Sequence, residues 1–194
     1  MALKSKAVES EIYASLGLDE KQKGVSETPR VVSIISALLL RTINNNEKLL
    51  KGSNKKDVVT IFHGLKAPNI NIQQYLERIF KYSSCSPSCF VVAYIYLERF
   101  VQQTGAHLTS LNVHRLLITS SMVAAKVLDD ECYNNAYYAR VGGVSTAEMN
   151  RLEMKFLFSV DFRLHVTAED FLKYSLQLQK EGLERYRIGR PRPN

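Results

Sequence analysis

Cysteine is scarce in this 194-residue chain. Cys85, Cys89 and Cys132 form an odd set with no secretory apolar stretch before them, which argues against a disulfide framework and for a reducing compartment. His63, His107, His114 and His165 stand at none of the usual zinc-ligand spacings from those thiols. Cys85 and Cys89 could share a helix face and read as core thiols. Long hydrophobic runs are also missing. The longest, Val31 to Leu40, is interrupted by Ser33 and Ser36 and reaches about half the length of a membrane-spanning helix, so no membrane partner is expected. There is no Gly-rich phosphate loop, no His-Glu-x-x-His and no Gly-x-Ser-x-Gly elbow. Glu98, Asp129, Asp130, Glu131 and Glu153 lack a local partner set to tune them as acid and base. Neither a catalytic residue, a metal nor a cofactor is therefore expected, and the chain reads as one that works by contact.

The charge is +7, but it is spread thinly: residues 1–59 carry +3, residues 60–180 carry +2 and residues 181–194 carry +2. Arg185, Arg187, Arg190 and Arg192 make a small basic tail that reads as a solvated end or an import-type patch, and nucleic acid is not favoured as a partner.

What is present is a succession of helix signals in an all-α chain. Residues 1–27 have no sustained periodicity and are expected to form a flexible N-terminal extension. Thr28-Pro29 is a cap followed by a first-turn proline, and Val31, Ile34, Ile35, Leu38 and Leu39 predict a helix to about Asn44. Asn44 to Lys56 reads as a polar surface loop, closing an N-terminal helix-and-loop unit over 28–59. Asp57 to His63 is the longest strand-like alternation.

The main domain is placed at 60–180, followed by the basic tail at 181–194. Apolar stripes predict helices through Ile72–Phe80 and, after Ser86-Pro87, through Phe90–Val101 up to Gly105. A helix opened by Thr109 or Ser110 carries Ser120, Ser121, Ala124 and Ala125, small residues that allow close approach and place it at the centre of a bundle. A short helix at 135–140 stops at Gly142-Gly143. Ser145 and Glu148 form a capping box before Met149, Leu152, Phe156 and Leu157, and Thr167 caps a last helix.

From Ile70 to Leu172 the chain resembles the cyclin box. The resemblance rests on the run Ala93 to Phe100, the run Ser121 to Asp130, and Arg151-Leu152-Glu153 with Leu157 and Phe162-Arg163-Leu164, in the family's order and spacing. Thr60 to Leu65 before Pro68, with Tyr82-Ser83-Ser84-Cys85, resembles the small plant U-type (P-type) cyclins, relatives of the fungal cyclins of the phosphate-starvation pathway.

The resemblance implies a single cyclin-box bundle that binds and activates a cyclin-dependent kinase catalytic subunit, of the plant A-type, in the nucleus or cytoplasm. It implies that Lys126 and Glu153 grip the kinase main chain near its mobile C-helix, and that Val123, Ala124, Val127, Leu157, Phe162 and Leu164 line the apolar part of the contact. Phe162 is the expected anchor. Two features depart from larger relatives. Glu98 lacks their first-helix arginine, leaving Arg99, Arg78 or solvent as its partner. Their tryptophan-containing substrate-docking patch has no counterpart in a chain without Trp, and there is no room for a second box.

Two other classes remain: a nucleic-acid-binding or transcription-factor domain of the same fold, which a basic face would favour, and a helical enzyme, for which no convergent pocket is visible. Thr28 and Ser86, each before proline, are candidate phosphorylation sites; helix capping is the plainer role for Ser86, while for Thr28, which follows the extension, the two readings stand side by side.

Overall fold

In the computed structural model, residues 2–18, 28–52 and 57–188 are described. They form α1 (Ala2–Leu16), α2 (Arg30–Gly52), α3 (Ile72–Ser83), α4 (Pro87–Thr104), α5 (Val113–Leu128), α6 (Asn135–Gly142), α7 (Thr146–Ser159) and α8 (Ala168–Ile188), with no strand among the described residues.

The axis of the bundle is α5, which packs against α3, α4, α6 and α7. Its small residues Ser120, Ser121, Ala124 and Ala125 are all buried, which lets the neighbouring backbones come close. Thr119 and Ser120 donate their hydroxyls to the Arg115 and Leu117 carbonyls of the same helix, so these polar side chains enter the core already satisfied. The helix begins at Val113, later than expected, because Thr109 to Asn112 forms a turn in which Asn112 Oδ1 accepts the Thr109 N–H.

The segment 57–63 is a turn rather than a strand. It delivers Phe62 into the interior, with its ring centroid 5.0 Å from Phe100 and 6.1 Å from Phe156. Two Asn side chains start helices: Asn71 accepts the Gln74 N–H ahead of α3, and Asn134 accepts that of Tyr137 ahead of α6. Ser145 accepts the Glu148 N–H, but the other half of the capping box is not made. The Glu148 carboxylate instead takes Arg115 Nε at 2.7 Å, joining the first turns of α7 and α5. Ser145→Ala should therefore cost about 1 kcal/mol, read as a lowered urea midpoint at unchanged slope.

The ends of the chain differ from expectation. The flexible extension assigned to 1–27 is helical over 2–16: Ile12, Leu16 and Leu18 are buried, and α1 packs on α8 and α2. Tyr13 meets Phe171 edge-on at 5.8 Å, and Gln179 donates to Ser15 Oγ. Gly17, at φ +72°, turns the chain beneath Pro29. Residues 19–27 lie outside the described residues.

The helix expected to stop near Asn44 runs on to Gly52. Ile43 is buried, Asn46 donates to the Leu108 carbonyl and Glu47 accepts the Ser110 N–H, so tertiary partners override the polar run. Ser53 to Lys56 lie outside the described residues. The last helix crosses the proposed boundary at 181: α8 continues to Ile188, with Gly182 pressed on Ile34 and Glu181 paired with Arg41 at 2.9 Å. Arg185 and Arg187 lie on this helix without described side chains, and Arg190 and Arg192 lie beyond the described residues.

Candidate partner-binding surface

Lys126 and Glu153, 27 residues apart in sequence, meet in the structure. The last turn of α5 carries Lys126, and the middle of α7 carries Glu153, whose Oε1 accepts from Lys126 Nζ at 2.6 Å. A third residue completes the node. Asn135, first in α6, accepts from Lys126 Nζ at 2.6 Å and donates its amide to Glu153 Oε2 at 2.6 Å and Asn150 Oδ1 at 2.8 Å. Lys126 uses two of its three donors here, and each Glu153 oxygen retains a lone pair. The node is thus held from three helices, with one Lys126 N–H and several acceptor lone pairs left unengaged on side chains that are 32 % (Lys126) and 16 % (Glu153) exposed. Asn135 and Asn150 were not expected there. Capping of α6 needs only Asn134, so a second adjacent Asn was the available signal.

Beside the node runs an apolar ridge. Met149, Leu152 and Phe156 face the core, while Glu153, Met154, Leu157 and Phe158 recur at helical spacing on another side of α7. Met154 is exposed and Leu157 half-buried, and Phe158 stands 63 % exposed. Phe162, 54 % exposed, meets Phe158 edge-on at 5.2 Å. Val127 and Leu128 add exposed apolar surface at the end of α5. Sequence reasoning had missed Met154, Phe158 and Leu128.

Of the residues expected to line the contact, Val123 is 2 % and Ala124 0 % exposed. Both are corrected to core positions behind the surface, because they lie on the inward side of the central helix. Leu164 is half-buried in the segment that follows Phe162.

That segment explains how Phe162 is presented. Asp161 and Phe162 are both left-handed, at φ 54° and 52°, a conformation costing about 1–2 kcal/mol per non-glycine residue. The cost is borne because α4 fixes the chain just beyond. Arg99 Nη1 donates to the Arg163 and His165 carbonyls at 2.7 and 3.0 Å, and the Tyr96 hydroxyl donates to the Leu164 carbonyl at 2.6 Å. Strain over-determined by its surroundings is typical of functional positions.

Arg99 is therefore engaged here, and Arg78 bonds the Val141 carbonyl, so neither serves Glu98. Glu98 accepts from the Tyr174 hydroxyl of α8 at 2.9 Å; burial first, then this carboxylate, push the Tyr174 phenol up to about 12. Cys85 and Cys89 are buried as expected but do not share a helix face, since Cys85 precedes α4. Cys89 donates to Asp129 Oδ2, which also accepts the Ser86 N–H, tying the start of α4 to the end of α5. Cys132 is exposed. Thr28 is exposed ahead of α2, and Ser86 is half-buried at the α4 cap. Among the described residues there is no cluster that could hold a metal ion and no helix long and apolar enough to cross a membrane.

The cyclin family model matches residues 29–164, which span α2 to the segment after Phe162, and the chain belongs to the cyclin family. Within it, the chain is similar to the plant cyclins of P and U type. It is 57 % identical over 175 residues to Cyclin-P3-1 of Oryza sativa subsp. japonica, covering 89 % of this chain and 74 % of that one. It is 50 % identical over 186 residues to Cyclin-U3-1 of Arabidopsis thaliana, covering 95 % and 83 %. With Cyclin-U4-1 of Arabidopsis thaliana it shares 56 % over 153 residues, covering 78 % and 76 %.

Proposed function

We propose that this cyclin binds a cyclin-dependent kinase catalytic subunit and activates it without performing chemistry itself. The observation that carries this reading is the adjacency of a three-helix polar node and an exposed Phe158–Phe162 pair. Exposed aromatics next to fixed polar groups are the anatomy of an interface hot spot. Lys126 and Glu153 would bond the main chain of the kinase, and Phe162 would fill an apolar pocket beside its C-helix.

Activation follows from selective binding. A kinase whose C-helix is displaced cannot form the Lys–Glu ion pair that organises ATP phosphates and metal. A surface complementary only to the helix-in state shifts the population toward it, by no more than its differential affinity for the two states. Pre-organisation keeps that affinity from being spent on ordering the surface. The Lys126–Asn135–Glu153 node and the anchored 163–165 segment provide it.

The test is co-purification with candidate kinase subunits, plant A-type first, with kinase activity as a second readout. Phe158→Ala and Phe162→Ala should each weaken binding by about 2 kcal/mol, ~30-fold, while leaving the urea midpoint close to that of the parent chain. Unchanged binding in the combined variant overturns the reading.

A further inference from the structure

The surface that presents Phe162 continues into a hollow of about 380 Å³ between the last turns of α4 and the segment that follows α7. Phe162 and Leu164 form part of its wall, so it adjoins the contact assigned to the kinase. Ligand sites run from about 300 to 1,000 Å³, and this one, near the small end, suits one or two side chains. Arg99, Gln102 and Gln103 from α4 and Arg163 from the segment give it polar side chains, and no carboxylate lines it.

Arg99 is already oriented. Its Nη1 donates to both the Arg163 and His165 carbonyls, at 2.7 and 3.0 Å, and its Cζ lies 5.9 Å from the centre of the Tyr96 ring. These bonds leave free Nε–H and Nη2, the side-on pair of donors that matches a carboxylate bidentately. Neither has a hydrogen-bond acceptor among the described residues. A guanidinium that must grip a partner loses freedom in doing so, and here the backbone bonds have removed much of it beforehand.

The charge around it is also poorly compensated. Arg163 Nε stands 3.8 Å from Asp161 Oδ2, with side chains 61 % and 81 % exposed, a loose surface pair that holds neither group firmly. Gln102 and Gln103 are exposed, and their amides have no hydrogen-bond partner among the described residues. Gln103 lies four residues beyond Arg99, on the same face of α4. Glu98, the adjacent carboxylate on that helix, takes the Tyr174 hydroxyl and is not part of the lining.

We infer that this hollow takes an aspartate or glutamate side chain of the kinase catalytic subunit, held side-on by Arg99 with Arg163 and Gln103 beside it, and so selects among kinase subunits. This role rests on the kinase reading and adds to it a determinant of which kinase is accepted. Continuity with Phe162 makes the kinase the source of the carboxylate, because a chain seated on Phe162 also covers the wall of the hollow. Covering it removes water, which strengthens the attraction between the fixed donors and an anion. A kinase with lysine or arginine at that place meets like charge, so the hollow rejects partners as well as admitting them.

The test is titration calorimetry of the full chain against a purified, unphosphorylated kinase subunit at about 0.15 M salt. Gln103→Glu, at an exposed position, sets a negative charge in the hollow and should weaken binding about five-fold or more. Gln103→Lys should keep or tighten it. Gln177→Glu, the same change at an exposed position of α8, should leave it unaltered. Arg99 stays native, because its loss would also release the 163–165 segment. Lysine substituted in turn for each kinase carboxylate around the pocket that receives Phe162 should reveal one position that weakens binding to the parent chain and restores binding to Gln103→Glu. Indifference to Gln103→Glu, while Phe162→Ala still weakens binding, overturns this role and leaves the kinase reading standing; a parent chain that binds no kinase subunit overturns both. An equal loss with Gln103→Lys marks a steric effect and overturns it as well. Failure of every kinase substitution to restore binding overturns the assignment to a carboxylate, as does a Gln103→Glu effect confined to phosphorylated kinase, which makes the occupant a phosphate.

Discussion

Exchanging the two charges of the node, Lys126→Glu with Glu153→Lys, should leave the chain folded and strongly weaken kinase association. The swapped pair can still meet across α5 and α7, and partly exposed ion pairs contribute little to stability, so unfolding should change by less than about 1 kcal/mol. The outward pattern, in contrast, is inverted: an acceptor replaces the free N–H of Lys126, and a cation replaces the free lone pairs of Glu153. A kinase main chain aligned to the native pattern then meets like against like. The loss should be about 2–4 kcal/mol, ~30- to ~1,000-fold in affinity. Titration calorimetry against the purified kinase, with circular dichroism as the folding control, distinguishes a display role from a structural one. Retained affinity in the folded swap variant would remove these residues from the interface. Truncation to alanine cannot make this distinction, because it also leaves Asn135 without two of its partners.

What could be read in the chain beforehand divides along physical lines. Capped, amphipathic helices were legible because their signals are local: Ser145 and Thr167, read as caps, accept the N–H three residues on, as do Asn71 and Asn134, which were not named. The central place of α5 was legible from its small residues, and the same fact should have assigned Val123 and Ala124 to the core. The roles of Lys126 and Glu153 came only from the family resemblance, since their pairing joins two helices, α5 and α7, and no local pattern encodes it. Asn135 left only a weak local signal, its place beside the capping Asn134. Phe158 and Met154 were hidden because an apolar residue on an amphipathic helix defaults to the core, and exposure is decided by neighbours. The helix at 2–16 was missed because its apolar side is completed by distant partners, mainly α8 at the opposite end of the sequence and also α2. Asn44 to Asn46 looked like a loop because propensity is a weak prior against tertiary contacts such as Asn46 to the Leu108 carbonyl.

Phe62 is the hardest residue to place from sequence and one of the costliest to lose. It lies in a short irregular segment, yet it is fully buried against Phe100 and Phe156, whose rings stack at 5.6 Å with an interplanar angle of 1°. These rings belong to α4 and α7, the helices that carry Arg99 and the Glu153–Phe158 face. Phe62→Ala would leave a ring-sized void between them, and such truncations cost about 3–5 kcal/mol because the walls relax only in part. Set against a typical domain stability of about 5–15 kcal/mol, that is a large share. Phe62→Leu keeps most of the buried volume and should lose markedly less. Urea unfolding of both variants checks the ranking, and a loss below about 1 kcal/mol for Phe62→Ala would show that the 57–63 turn is not part of the core. The conservative variant carries the functional consequence. If α7 is held in register by this cluster, Phe62→Leu should keep kinase affinity near native at temperatures where it is folded. Phe62→Ala, with α7 less firmly seated, should lose affinity before it loses helix content, because presentation of the node and of Phe162 depends on that packing.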